Sequence, residues 1–447
     1  MKKLLAPLLF LLFALITLLN GLEPQVKKGL ILLEFGALFW ITEALPLPIT
    51  SLLIPALAVF LGIGSVKEAF SSFAHPIIFL FFGGFALATA LSKHSLDRLI
   101  AYKIVSLSKG SFLITSLLLF CATALISMWI SNTSTTVMVL PLALGLIGTT
   151  ASDERVKHFI LLGVAYSASV GGIGTLVGSP PNGITAAELG MGFTDWLKVG
   201  LPVVLILFPL LFLILYLYFR PNVSASVEVE KIDFSLNKER LLVLIVFGIT
   251  VLGWLLSKPL SHLLGVGKYF DSVVAVFGVA LLFVFKLVNW REVEEGTDWG
   301  TLYLFGGGIA LSHFLKTTGA SKFIAGALIE LISGFPLFLL IFSITLFMIF
   351  LTELMSNTAT AAIFIPILIS AAHSLNLPPH LLALPAGVAA SCAFMLPVAT
   401  PPNAIVYGTG EVKQGNMLRV GLILNLTFAF VISLFFFSLE LLALIAS

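Results

Sequence analysis

The chain has 447 residues, of which 59% are hydrophobic and 10% charged, with a formal net charge of +2. A soluble domain carries roughly 45–50% apolar and about 25% charged residues. This chain therefore has too little polar surface for a water-soluble enzyme, and its scattered basic residues exclude nucleic acid as a partner. Cys121 and Cys392 lie in apolar runs and the seven histidines are dispersed, so neither a disulfide framework nor a His/Cys metal cluster is encoded. What remains is an all-α polytopic membrane protein.

A membrane-crossing helix needs about 20 mostly apolar residues. The first candidate, 4–22, follows Met1–Lys2–Lys3 and is not followed by a small-x-small cleavage site, so it reads as a span and not as a signal peptide. Spans follow at 29–45, 48–63 and 70–92. In 95–109, Leu96, Leu99, Ile100, Ile104 and Leu107 recur at helical spacing, with Asp97, Arg98, Lys103 and Lys109 on other faces. That pattern predicts an amphipathic helix along the cytoplasmic interface. The apolar stretch 111–149 comes next, then spans at 158–190 and 196–219, and a polar linker at 221–239. The second half holds spans at 240–257, 270–288 and 299–316, a long stretch at 336–374, and spans at 381–408 and 417–446. That makes eleven spans. Stretches 111–149 and 336–374 are each interrupted in the middle by Ser-Asn-Thr. Each is a pair of helices with a loop, or a re-entrant hairpin; the two differ by two crossings, so orientation does not separate them. With the N-terminus in the cytoplasm, sixteen Lys and Arg fall inside and eight outside, in keeping with the positive-inside rule. Eleven crossings then leave the C-terminus outside.

The two halves repeat. Residues 81–101 align without a gap onto 305–325, 131–141 (SNTSTTVMVLP) match 356–366 (SNTATAAIFIP), and 179–182 (SPPN) match 400–403 (TPPN). Three motifs in one order at nearly one offset indicate duplication. An odd number of crossings separates the copies, so the second is predicted to be inverted. Inverted repeats around a midplane site typify secondary transporters.

Ser131–Asn132–Thr133 and Ser356–Asn357–Thr358 sit where a helix would break. Non-helical backbone at membrane depth survives only where it lines a cavity or is buried in protein. The helix after each break offers free N–H groups and a positive dipole end to an anion. Carbonyls before the break suit a hard cation such as Na⁺. A hydroxyl recurs one turn earlier in each copy, at Ser127 and Thr352, completing an oxygen-only donor set. Gly178–Ser179–Pro180–Pro181–Asn182 and Ala399–Thr400–Pro401–Pro402–Asn403 form a second duplicated pair. Two consecutive prolines remove two donors and disfavour helix before them, so each long segment is predicted to unwind there.

Other features carry less. Gly83–Gly84 and Gly306–Gly307–Gly308 read as close helix contacts, and His75, His158, His313 and His373 as interfacial. Glu34, Glu43 and Glu353 lie in apolar surroundings, where a carboxyl is a functional candidate by default; Glu353 adjoins the second Ser-Asn-Thr and would tune it or make a structural hydrogen bond. No nucleophile–base pair, Walker motif or aspartyl-phosphate motif is present, so the chain is not expected to be an enzyme.

The paired SNT motifs, SPPN and TPPN, and Trp40–Ile41–Thr42–Glu43–Ala44–Leu45–Pro46–Leu47–Pro48 resemble the divalent anion:sodium symporter family, over essentially the whole chain. The resemblance implies Na⁺-coupled symport of a C4-type dicarboxylate (succinate, malate or fumarate) across the plasma (inner) membrane by an elevator movement, in a lipid-embedded homodimer without an organic cofactor. It implies re-entrant hairpins with the SNT motifs at their tips. It also implies a first Na⁺ site at Ser127, Ser131, Asn132 and Gly178, and a second at Thr352, Ser356, Asn357 and Ala399. The dianion would meet Asn132, Thr133, Ser179, Pro180, Asn357, Thr358 and Thr400. The corresponding division is scaffold helices in 1–94 and 196–298, a first transport segment in 95–195, a second repeat in 299–416 that starts as scaffold, and a last helix in 417–447. Na⁺-independent exchange, and sulfate or citrate as substrate, are the alternatives within the family. The preferred anion and the Na⁺ stoichiometry are not written in the sequence.

Overall fold

The computed structural model describes residues 21–108, 110–148, 153–221, 236–332 and 334–446. Most of the predicted first span, most of the predicted linker, and Lys109 lie outside the described residues. Within them the secondary structure is entirely helical.

In chain order, α1 (Pro24–Thr42) opens on a proline, whose missing N–H is one the first turn leaves unbonded anyway, and ends on Glu43 at φ 48°. Then come α2 (Leu47–Phe60), a short α3 (Val66–Ser71) with a Ser65–Glu68 capping box, and α4 (Pro76–Lys93). α5 (Leu96–Ser106) is the predicted amphipathic helix, though Asp97 is buried on it and Ile100 and Leu107 are exposed. The first interrupted stretch forms α6 (Phe112–Ser127) and α7 (Asn132–Gly148). α8 (Glu154–Gly172) is buried on every face from His158 onward, and α9 (Pro180–Leu189) follows an unwound segment. α10 (Phe193–Phe219) closes the first half. The second half contains α11 (Lys238–Leu255), α12 (Ser257–Leu264), α13 (Phe270–Val284), α14 (Trp290–Gly296), α15 (Trp299–Thr317) and α16 (Ala320–Ile332). The second interrupted stretch gives α17 (Leu337–Thr352) and α18 (Asn357–Ser374); α19 (His380–Ala389), α20 (Pro401–Gly408) and α21 (Gln414–Ala446) complete the chain.

Both interrupted stretches fold back on themselves. α6 runs parallel to α8: Phe112 and Phe120 lie 6.4 and 5.4 Å from Phe159, and Gly171 rests on the Ala124 backbone. α7 runs against α8, with Asn132 at the start of one beside Gly172 at the end of the other. In the second copy, Phe338 near the start of α17 meets Phe437 edge-on at 5.7 Å, while the Thr352 hydroxyl at its end lies 2.9 Å from the Ala390 carbonyl. α18 returns from Asn357 and joins the start of α19 through 375–379. Each Ser-Asn-Thr is therefore the tip of a helical hairpin.

The predicted spans 158–190 and 381–408 are each divided into two helices by an irregular break, 173–179, which includes a single 3₁₀ turn at Leu176–Gly178, and 391–400. Among the described residues, four helical segments are long and apolar enough to cross a bilayer unaided, or five if the bent pair α11–α12 is one. Of the rest, several are cut short where the tips and proline pairs break the hydrogen-bond ladder, while α1, α8 and α15 reach 19 residues but carry charged and polar side chains.

The halves are interlocked. α9 packs against α18 and α19 of the second copy, and α20 against α7 and α8 of the first. α2 packs on α15, and α4 on α13. Glycine makes these contacts close, as the sequence suggests: a Cβ on Gly307 would stand 2.6 Å from the Ser51 Cα, and one on Gly83 2.6 Å from the Ala275 Cβ. α10, placed by sequence among the scaffold spans, packs mainly on α8 and α21. His158, near the start of α8, is buried within the protein, stacked on Phe219, and its Nε2 accepts from the Lys413 N–H at 3.0 Å.

Candidate functional site

A cavity of about 790 Å³ lies between the two hairpin tips and the two unwound segments. Each wall follows from local chemistry. At the first tip, Ser131 Oγ accepts the Ser134 N–H at 3.2 Å and caps α7. Asn132 Oδ1 accepts the Ser127 hydroxyl at 2.6 Å, which leaves the amide NH₂ as its donor end. At the second tip, Asn357 Oδ1 lies 2.7 Å from the Thr352 hydroxyl, whose single proton it shares with the Ala390 carbonyl. The duplicated hydroxyl one turn before each tip thus holds the duplicated asparagine in one orientation.

The proline pairs work as the sequence suggests. Ser179 (φ −148°) and Thr400 (φ −141°) are extended, and a helix begins at the proline after each. Freed carbonyls upstream must find donors. Asn182 Nδ2 donates to Gly172 O at 2.9 Å and Thr175 O at 2.7 Å. Asn403 Nδ2 donates to Ala393 O at 3.1 Å and Leu396 O at 3.0 Å. Both asparagines stand in the duplicated motifs, where nothing in the residue types alone gives them a role. Their signal was position: the third residue of a helix opened by two prolines lies one turn from the strand it must hold.

Of the predicted residues, Ser131, Asn132, Thr133, Gly178, Ser179, Pro180, Ser356, Asn357, Thr358, Ala399 and Thr400 line this one cavity. Ser127 and Thr352 are buried behind the tips. Glu43, Thr42, Asp298 and Thr301 also line it, as do Phe81 and Phe85. Phe81 meets its repeat partner Phe305 edge-on at 4.6 Å. Among the described residues no Lys, Arg or His lines the cavity. Its polar groups are hydroxyls, amides, backbone and the two carboxylates.

Glu353 is not in the cavity wall. It is buried, and its carboxylate accepts the backbone N–H groups of Phe394 (2.6 Å), Met395 (2.8 Å) and Leu396 (3.0 Å) and the Asn425 amide (2.8 Å). Of the two roles open to it in sequence, the hydrogen-bonding one is present.

The sequence profile described as the sodium:sulfate symporter transmembrane region matches residues 1–444. The chain belongs to this family. A transporter of Haemophilus influenzae is 49% identical over 427 residues, covering 93% of both chains. A sodium-dependent dicarboxylate transporter, SdcS, of Staphylococcus saprophyticus is 34% identical over 462 residues, covering 94% of this chain and 88% of its own. The crystal structure of the Alcanivorax borkumensis YdaH transporter superposes with a TM-score of 0.60 at 15% identity, covering 90% of this chain and 97% of its own, which is a likeness of fold. Family membership makes the chain a membrane transporter.

Proposed function

We propose that the protein carries a C4-type dicarboxylate into the cell together with Na⁺. The observation that carries this reading is the convergence of two duplicated tips and two duplicated unwound segments on one cavity without a basic residue among the described ones. A dianion there lacks a fixed counter-charge, and desolvating it unpaired is prohibitive. Na⁺ ions beside each tip supply that charge. Ser127, Ser131, Asn132 and Gly178 would hold one; Thr352, Ser356, Asn357 and Ala399 would hold the other. One carboxylate of the substrate would meet Asn132, Thr133, Ser179 and Pro180, and the other Asn357, Thr358 and Thr400. Two facing tips suit two carboxylates better than one compact sulfate, and the relative named as a dicarboxylate transporter agrees.

The repeats are read as inverted, and the transport motion as an elevator. α6 to α10 and α17 to α21, bound by the crossed half-helices, form the moving body. α1 to α4 and α11 to α15 form the scaffold, with α5 and α16 as the connecting arms. α10 travels with the moving body because its contacts lie there. With the N-terminus inside the cell, Glu43 and Asp298 mark the cytoplasmic mouth, and the cavity faces inward.

Purified protein in liposomes is expected to accumulate labelled succinate when Na⁺ is outside, and not when choline replaces it. Moving one net positive charge inward is worth about 2.3 kcal/mol per 100 mV, so uptake should rise with an inside-negative potential. Equal uptake in choline would point instead to exchange. Assembly is testable separately. Leu241, Ile245, Ile249 and Leu252 form an exposed apolar stripe on α11, and a homodimer seated on the scaffold is expected. A native mass equal to one chain in lipid nanodiscs would overturn it.

A further inference from the structure

We infer that Glu353 is a positioning residue that builds the second cation site before any cation arrives, so that the two duplicated sites are unequal. The inference rests on the cation-site reading above and concerns how those sites differ.

The two unwound segments align residue by residue. Residues 172–178 read Gly-Ile-Gly-Thr-Leu-Val-Gly, and 393–399 read Ala-Phe-Met-Leu-Pro-Val-Ala. Three glycines in the first are replaced in the second by Ala393, Met395 and Ala399, and Leu176 by Pro397. Glycine loses the most conformational freedom on ordering, and proline has least to lose. The second segment is therefore the stiffer chain before any contact is counted.

Its contacts widen the gap. One carboxylate, Glu353, takes three consecutive N–H groups, from Phe394 to Leu396. Asn403 holds the Ala393 and Leu396 carbonyls. Tyr166, reaching over from the first copy, donates to the Phe394 carbonyl at 2.6 Å. Asn425 fixes the carboxylate in turn. The repeat partner of Glu353 is Met128, whose side chain has no carboxylate to offer. There the link runs the other way: Thr175 donates its hydroxyl to the Met128 backbone carbonyl. In the first segment Asn182 and Trp196 hold carbonyls, while the Gly174 and Gly178 N–H groups bond only to neighbours three residues back. A carboxylate hydrogen-bonded along a strand fixes it in a way neutral partners do not, and its negative charge favours a cation nearby in a low-dielectric setting. Hence the second site is pre-formed and fills first. The first is shaped by its cation.

Hydrogen exchange on the full-length protein in nanodiscs, without substrate and with Na⁺ or choline, reads this directly. Na⁺ is expected to slow exchange across 172–179 by about tenfold or more, and to change 393–399 by less than about twofold. In Glu353→Gln, 393–399 should become Na⁺-dependent, and the Na⁺ concentration for half-maximal uptake should rise about ten- to a hundredfold. Tyr166→Phe removes one hydroxyl and should move both readouts the same way by less, which keeps the test open where Glu353→Gln fails to fold. Equal Na⁺ protection of both segments in the parent, or second-segment protection unaltered in both variants, overturns the inequality and leaves two cation sites standing. Protection of neither segment removes the sites themselves.

Discussion

Gly172→Ala is expected to lose Na⁺-driven uptake by at least about tenfold while the protein still folds. A Cβ at this position would stand 2.5 Å from Asn132 Oδ1, 2.9 Å from the Gly178 carbonyl oxygen and 3.1 Å from Asn132 Nδ2. The new methyl therefore enters the space shared by the two oxygens proposed to face the first cation. Overpacking of this kind costs about 1–3 kcal/mol, and here the yielding group is the side chain that must bind. Gly145→Ala, whose Cβ meets nothing within 4 Å, is the matched control and should transport like the parent. The second segment carries Ala393 at the aligned position, so the sensitivity should be confined to the first copy. Uptake against Na⁺ concentration, with a thermal unfolding curve for each variant, decides it; a Gly172→Ala protein with parental Na⁺ dependence would show that the space beside Asn132 is not a cation site.

The second large effect concerns the tip asparagines. Each Oδ1 is turned toward a hydroxyl on its own hairpin, Ser127 or Thr352, so the NH₂ is the end available to an anion. One amide thus joins cation to substrate. Asn132→Ala and Asn357→Ala should each lose Na⁺ and dicarboxylate affinity together, by about ten- to a hundredfold, the worth of a hydrogen bond to a charged group. Thr133→Ala should weaken mainly the anion. Double titrations of Na⁺ and succinate separate the cases. Parental behaviour of both asparagine variants at limiting Na⁺ and substrate would remove the paired-tip site.

How much of this was legible beforehand differs by residue. The tips and proline pairs were readable because their chemistry is local: a polar triplet inside an apolar run has to break a helix, and two prolines have to start one. Their recurrence in one order turned four weak signals into one strong one. The hairpins were not decided by the residues themselves, since an apolar run reads alike whether it crosses or returns; the resemblance chose, and the packing of α6 and α7 on α8 agrees. Glu353 kept two roles open because its partners, Phe394 to Leu396 and Asn425, are 41 to 72 residues away, and nothing in its own stretch points to them. Asn182 and Asn403 are not legible as braces because the carbonyls they hold, 7 to 10 residues upstream, come within reach only once the segment has unwound. His158 stands near a span end, but that Phe219 and Lys413 enclose it is set by distant parts of the chain.

The crossed half-helices have a consequence for how the chain is made. α9 leaves the ribosome with its seat unbuilt, because α18 begins only at Asn357. At a synthesis rate of about 5–20 residues per second, that seat arrives roughly 10–35 s later. For this interval the first unwound segment, its carbonyls held by Asn182 and Trp196 of its own half, has to reside in or beside the bilayer without half of its enclosure. Biogenesis therefore passes through a polar intermediate that the insertion machinery must shelter, and a ribosome stalled in the middle of the message leaves behind a fragment that cannot finish its own core.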